Sequence, residues 1–291
     1  MTAERQPSVA LIIPVYNSRE HTREFLESAG QLAWENYRVI IVDDGSTDGT
    51  GEMLREKHPD VILISGDGNL WSSGAINLGI ERAVADGFDY ALIIDNDIVM
   101  HAEFVSRLVA AARDNPRTIT VPKVYQYYDP QRLESAGYHS RKFGLEMVPT
   151  GEGEIDSGQY DQPRDLPCAM TMMLVDTAFF AEIGLFDAKN LPLYGADMDF
   201  TMRARRKGFR IIYEPHSILW HKRHTSARQG IPGTATFWGR LKYLTASPRS
   251  SLNFRLRVTV SRRHDPWYLI PVRALIYLRL LLHQALTNDL S

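Results

Sequence analysis

The sequence predicts an α/β fold: a mixed, mostly parallel central sheet flanked by helices, with a C-terminal helical appendage. Three observations predict it. Short apolar runs alternate with helix-spaced segments through the first hundred residues, the arrangement of parallel strands joined by crossover helices. The chain has 291 residues and is 44% hydrophobic, ample for one sizeable core with an attachment. Charge is unevenly placed: nine Lys/Arg from Trp238 to Ser291 face only Asp265 and Asp289, although the whole chain carries a formal charge of -2. That asymmetry marks the appendage.

The elements follow in order. "VALIIP" (9–14) is a buried strand closed by proline. Residues 19–34 have helical spacing at Phe25, Leu26, Ala29 and Leu32. Val39–Val42 form a second strand before a Gly-rich turn, residues 49–58 a helix and "DVILIS" (60–65) a third strand. Residues 72–87 are a helix stopped by Gly87, and 89–97 a fourth strand. Beyond it come a helix (101–114), a strand (118–125), and a Gly-, Tyr-, Asp- and Pro-rich stretch (126–165) read as a hairpin plus a mobile loop. An apolar run (168–175), a helix (177–187) broken at Gly184, a helix (197–208), and two short strands (209–215 and 217–222) complete this part. The expected division is 1–100 as one half of the main domain, 101–230 as its second half, and 231–291 as a basic and apolar helical segment.

Composition excludes some functions. A pI near 6.5 supplies no global field for nucleic acid, and aromatic residues are sparse among the basic residues of the tail. One cysteine, Cys168, rules out an internal disulfide framework and suits a reducing compartment. The stretch Val9–Tyr16 is short and contains Pro14, so it does not read as a secretory leader.

In sheets of this kind ligands bind beyond the carboxyl ends of the strands. "NS" (17–18), "DDGS" (43–46) and "DND" (95–97) all fall there. Asp95 and Asp97, alternate residues of the fourth strand, share a face and both reach one hard cation such as Mg²⁺ or Mn²⁺. Read alone, the pair serves equally as a helix cap. Asp43 and Asp44 suit either a turn or a carboxylate accepting a base N–H, with Tyr16 placed to stack on that base. The first connection, "PVYNSREHT", lacks the G-x-G-x-x-G of a dinucleotide site, and no Gly-Lys pair makes a P-loop. A metal clamp on a diphosphate fills the gap.

"IIPVYN", "VIIVDDGSTDGT", "GNLWSSGAINLGIERA", "LIIDND" and "IGLFDAKNLPLYGADMDFTMRARRKGFRIIYEPHSILWHK" occur in the order and spacing of the family 2 glycosyltransferases of the GT-A nucleotide-sugar fold. The chain resembles that family over about residues 8–222, and its bacterial surface-polysaccharide, rhamnosyltransferase-like members in particular. The resemblance implies an inverting, metal-dependent transfer from a UDP- or dTDP-linked sugar to a hydroxyl of a glycan or polyprenyl-linked acceptor. It implies that Pro14, Tyr16 and Asn17 line the base pocket, with Asp43 or Asp44 on base or ribose, and that Gly74 and Asn77 approach the nucleotide. Asp95 and Asp97 become the D-x-D pair, Asp97 the direct ligand to Mg²⁺ or Mn²⁺, and His221 a further ligand. Asp197 matches the catalytic base. Where the family commonly has Glu-Asp this chain has Ala196-Asp197, which leaves Asp199 as a second candidate on the acceptor side; Trp71 stands where small residues are usual. The Q-x-x-R-W signature of processive synthases is absent, favouring single or limited addition.

Two rivals stand beside this reading. A sugar-nucleotide pyrophosphorylase would need a Gly- and Lys/Arg-rich loop after the first strand, where only Arg19 occurs. A non-catalytic glycan-binding protein would tolerate loss of Asp197. The basic loop "HKRHTSAR" (221–228) reads either as closing over the diphosphate or as a plain solvated loop. The stretch 267–286 is apolar but holds Arg273 and Arg279, with Trp267, Tyr268, Arg262 and Arg263 beside it. It suits a helix lying on an anionic membrane surface, or a homodimer contact, more than a spanning segment. The expected location is the cytoplasm, peripheral on the inner face of the plasma membrane.

Overall fold

The computed structural model describes residues 5–141, 146–170, 172–222 and 236–287. Strand β1 (Val9–Val15) is buried except at Pro14, and helix α1 (Arg19–Ala29) turns Thr22, Phe25 and Ala29 inward. Strand β2 (Tyr37–Asp43), α2 (Thr50–Lys57), β3 (Ile62–Ser65), α3 (Trp71–Ala85) and β4 (Tyr90–Ile93) follow. These strands pair in parallel in the order β3-β2-β1-β4. The order reverses between β1 and β4, which opens a crevice at their carboxyl ends.

The fourth strand is shorter than its sequence suggested. It stops at Ile93, and Asp95–Asp97 form a bend before β5 (Ile98–Met100). The two acids are therefore not alternate residues of one strand. The bend is held by Asn96, whose Nδ2 donates to Ser18 Oγ (2.8 Å) and Thr22 Oγ1 (2.9 Å) at the start of α1. Helix α4 (Phe104–Asp114) precedes β6 (Thr118–Gln126) and β7 (Asp129–Ser135); β8 (Tyr138–Arg141) pairs with β9 (Glu146–Pro149). Strands β10 (Arg164–Asp165) and β11 (Met173–Asp176) come next. Helix α5 is only Phe179–Ile183, because Gly184 turns out of it at φ +82°. Helix α6 (Ala196–Arg206) leads into β12 (Arg210–His221). The two short strands expected at 209–222 are thus one. Its parallel register with β6 slips between Glu214 and Ile218, around Pro215, which has no N–H to give the ladder.

Among the described residues the main sheet has ten strands, in the order β10-β12-β6-β11-β4-β1-β2-β3, with β5 on β12 and β7 on β6. Its two faces bury alternate residues of each strand. Ala10, Ile12, Ile40, Val42 and Ile93 face α3, α5 and α6; Val9, Leu11, Ile13, Ile41 and Leu92 face α1, α2 and α4. Burial on both sides explains why these strands read as unbroken apolar runs rather than alternating ones. Helix α3 lies closest to the sheet at Gly79, where an added Cβ would sit 2.3 Å from Ile12 Cγ2.

Helices α7 (Phe237–Ala246), α8 (Phe254–His264) and α9 (Ile270–Thr287) form the appendage. It has its own small core of Leu244, Leu252, Leu281 and Ala285. Leu256 and Val260 of α8 pack instead against the main core, beside α6. Helix α9 leaves most of its apolar surface bare.

Candidate active site

Tyr16 projects from the tip of β1 and is 55% exposed, free to meet a planar ring. Asn17, at φ +47°, ties that tip to the next turn: its N–H donates to Ser46 Oγ (2.8 Å) and its Oδ1 accepts from Thr47 N (2.7 Å). Asp43 is buried at the end of β2, where its Oδ1 accepts from Ser46 N (2.9 Å). Tyr16, Asn17 and Asp43 therefore lie together at the carboxyl ends of β1 and β2, beside Pro14.

Two of the expected nucleotide contacts are used otherwise. The Asp44 carboxylate accepts three backbone N–H groups, from Gly68 (2.9 Å), Leu70 (3.2 Å) and Trp71 (2.9 Å). It folds the loop that enters α3 and has little capacity left for a base or ribose. Asn77 makes a two-way bond with the backbone of Phe186, donating to its carbonyl (2.9 Å) and accepting its N–H (3.0 Å). It clamps α3 to the segment after α5 and does not face the crevice as a ligand. Gly74 lies one turn into α3, where an added Cβ would come within 3.3 Å of Leu70 Cβ. Trp71 opens the helix at φ +55°, and the Arg249 guanidinium stands 5.9 Å from the centre of its indole.

The acidic centre is assembled by strand pairing. β12 runs antiparallel to β5 with His221 opposite Ile98, and the Lys222 N–H donates to the Asp97 carbonyl (2.7 Å). His221 Nε2 consequently lies 3.2 Å from Asp97 Oδ2. On its other side His221 Nδ1 meets Glu134 Oε1 at 2.9 Å, delivered by β7 through β6. The sequence reading missed Glu134; nothing local distinguishes it from any other strand glutamate. Burial works against a charged imidazole here, but the bonds to Asp97 and Glu134 outweigh it and raise His221 to about 10. Asp95 moves the same way for the opposite reason. Burial first, then the charge of Asp97, with Asp197 and Glu134 adding to it, push its carboxyl up to about 7.

Asp97 and Glu134 thus flank one imidazole, and the charges of Asp97, Asp197 and Glu134 all bear on Asp95, so acids outnumber cations here. An Asp oxygen beside an imidazole nitrogen is a donor set that Mn²⁺ or Mg²⁺ accepts. A carboxylate on the far ring nitrogen is the usual support for a metal-binding histidine. Among the described residues no group of three or more His, Cys, Asp or Glu side chains is disposed to hold an ion alone. Asp97 and His221 would offer such an ion two ligands, once it displaced the proton that the two carboxylates hold on the imidazole. Of the basic loop 221–228, residues 223–228 lie outside the described residues.

Asp197 and Asp199 occupy the first turn of α6, and the fold separates their roles. Asp199 is fully buried and bound to Arg203 Nε (2.9 Å), Arg263 Nη1 (3.2 Å) and His264 Nε2 (2.8 Å). Burial alone would raise its carboxyl, yet these partners bring it down to about 2. The expectation that Asp199 serves an acceptor is corrected: its carboxylate is spent as a strut between α6 and α8. Asp197 is only partly buried, and its charge is felt at Asp95 across the crevice.

Comparison with known proteins places this geometry. The family model described as "Glycosyl transferase family 2" matches residues 10–176. The N-acetylglucosaminyl-diphospho-decaprenol L-rhamnosyltransferase of Mycobacterium tuberculosis is 25% identical over 286 residues, covering 90% of this chain and 88% of the relative. The undecaprenyl-phosphate 4-deoxy-4-formamido-L-arabinose transferase of Proteus mirabilis is 37% identical over 121 residues, 39% of this chain and 36% of the relative. Among solved structures, GalNAc-T7 with UDP, GalNAc and Mn²⁺ superposes with a TM-score of 0.64 at 14% identity, over 98% of this chain and 56% of that one. The mannosyltransferase PcManGT of Pyrobaculum calidifontis with GDP-Man and Mn²⁺ gives 0.56 at 18% identity, over 98% and 74%. These two likenesses bear on the fold.

Proposed function

The chain belongs to glycosyl transferase family 2 and has the GT-A fold, and on that footing we propose that it transfers a sugar from a nucleoside-diphosphate donor to a hydroxyl of a lipid-linked glycan, inverting the anomeric configuration. The observation that carries the reading is the acidic centre: Asp97 and His221 3.2 Å apart, Glu134 behind the imidazole, and Asp197 close enough to perturb Asp95.

Residues 1–100 form the donor half and 101–230 the acceptor half. Tyr16 stacks on the base and Asp43 sits beneath it, at the end of the crevice opposite the acids. Asp97 and His221 hold Mg²⁺ or Mn²⁺, with Asp95 beside them. A bound divalent ion supplies positive charge against the negative charge that grows on the departing diphosphate. Asp197 accepts the proton of the attacking hydroxyl, and its carboxylate takes no part in the ion pairs given for Asp199. One base and a single displacement produce inversion. The names of the mycobacterial and Proteus relatives support a lipid-linked acceptor, and an enzyme that uses one works at the inner face of the plasma membrane. Helix Trp267–Thr287 has a mean hydropathy of 1.4 and is long enough to cross a membrane. Arg273 and Arg279 within it favour a position along the surface.

The test is a panel of UDP-, dTDP- and GDP-sugars with and without Mn²⁺, read as thermal stabilisation and nucleoside diphosphate release. A donor present at about 100 times its Kd adds roughly 2.7 kcal/mol of stability. That gain should vanish in Asp97→Ala. Equal stabilisation without any divalent ion, or pyrophosphate release from a nucleoside triphosphate, would overturn the proposal.

A further inference from the structure

A second concavity, a groove of about 330 Å³, runs between the 189–195 loop and helices α7 and α8. Lys189, Pro192, Tyr194, Phe254, Arg255 and Leu256 are among its walls, and no acidic side chain lines it. Lys189 and Arg255 are both exposed. The Arg255 guanidinium reaches the Lys189 carbonyl (3.4 Å), which keeps the two cations on one rim. No carboxylate among the described residues pairs with either. Tyr194 (38% exposed) and Phe254 (58%) add aromatic faces. The groove thus joins unneutralised positive charge to apolar surface.

Its position relates it to the chemistry. The 189–195 loop is a wall shared with the donor half: Ser73 at the start of α3 donates from its N–H to Pro192 O (2.9 Å) and from Oγ to Leu191 O (2.6 Å). The same loop runs directly into Asp197. Gly195 abuts Leu256 and Val260 of α8, and the Asp199 ion pairs to Arg263 and His264 fix α8 against α6. At the outer end Phe254 packs on Tyr277 of α9, ring centres 6.4 Å apart. Helix α9 then exposes Leu275, Leu278, Leu282 and Leu286 at helical spacing along one face.

We propose that this groove seats the diphosphate and first isoprenoid units of the acceptor. Lys189 and Arg255 hold the phosphates, the aromatic walls and the bare face of α9 cover the hydrocarbon, and the glycosyl end points at Asp197. A free anion would not need the apolar wall, and a soluble glycan would not need the cations. The proposal rests on the glycosyl-transfer reading and deepens it.

The full-length protein is titrated calorimetrically with a short isoprenoid diphosphate below its micelle concentration. Binding is expected, and the pair Lys189→Ala and Arg255→Ala should weaken it by about tenfold or more. The conservative pair Lys189→Arg and Arg255→Lys should restore most of it with an unchanged unfolding temperature, and Lys242→Ala on α7 should bind as wild type. Displacement by saturating UDP and Mn²⁺ would put the ligand in the donor crevice and overturn the proposal. Equally tight binding of inorganic pyrophosphate would overturn it too, because the apolar wall would then contribute nothing. Metal-dependent stabilisation by the same panel of UDP-, dTDP- and GDP-sugars is read on the same preparation. If it is present while the isoprenoid fails to bind, the groove is misassigned and the transferase reading stands; if both are absent, both fall.

Discussion

Asp197 and Asp199 lie two positions apart on α6, and their surroundings give them opposite tasks. Asp199 is sealed among Arg203, Arg263 and His264, so an asparagine there leaves buried cations without their counter-charge. Asp199→Asn should cost about 3 kcal/mol in urea unfolding. Asp197→Asn should leave unfolding unchanged and lower turnover by about 10²- to 10⁴-fold. A reversal of these two outcomes would exchange their roles. Glu134 acts one step further from the chemistry, through Nδ1 of His221. Glu134→Gln should weaken Mn²⁺ binding by about ten- to a hundredfold, read from free Mn²⁺ by paramagnetic resonance. An unchanged affinity would leave Glu134 as a plain ion-pair partner.

At the scale of elements, α3 is the piece on which the donor half depends. It is pressed on β1 at Gly79, tied to the post-α5 segment by Asn77, and begun by the three amides on Asp44. Gly79→Ala puts a methyl group into Ile12 and should destabilise by about 1–3 kcal/mol. Asn77→Ala leaves the Phe186 N–H and carbonyl without their side-chain partner, a loss of about 1–3 kcal/mol, with donor affinity per folded molecule unchanged. If Asn77→Ala removed donor affinity at full stability, Asn77 would be a ligand after all. Strand β12 is the second such element. Its bulge at Glu214–Ile218 lets one strand pair with β6 along its length and still bring His221 to β5.

Across the whole molecule, the joint between the main domain and the appendage is electrostatic. The Asp199 carboxyl titrates at about 2 in the folded protein and near 3.9 unfolded. A depressed value means that its contribution is fully present above the unfolded value and disappears as pH falls through the folded one, about 2 kcal/mol in all. Between about pH 4 and pH 2 the α6–α8 joint should therefore loosen, seen as faster amide exchange in α8 than in β1. The bare face of α9, with Trp267 (82% exposed) and Tyr268 and the exposed Arg262 and Arg279, suits an anionic lipid surface. The protein should sediment with phosphatidylglycerol vesicles and release as salt screens the arginines. A salt-insensitive dimer in sedimentation velocity, without vesicle binding, would assign that face to a second copy.

What the sequence determined by itself was whatever depends on neighbours along the chain. Double-sided burial wrote "VALIIP" and "VIIV" as apolar runs, and strand ends in such a sheet place Tyr16, Asp43 and the 95–97 acids at one crevice. Only the tertiary structure decided which polar groups are free to act. Asp44 and Asn77 resemble ligands in the sequence but are spent on backbone 24 and 109 positions away. Asp199 is consumed by α8, and Glu134 enters the site from 87 positions away, through two strand pairings. Periodicity reports which face of an element is dry; it carries no record of which donor will meet a given carboxylate. That depends on pairing between distant segments, and the local pattern is blind to it.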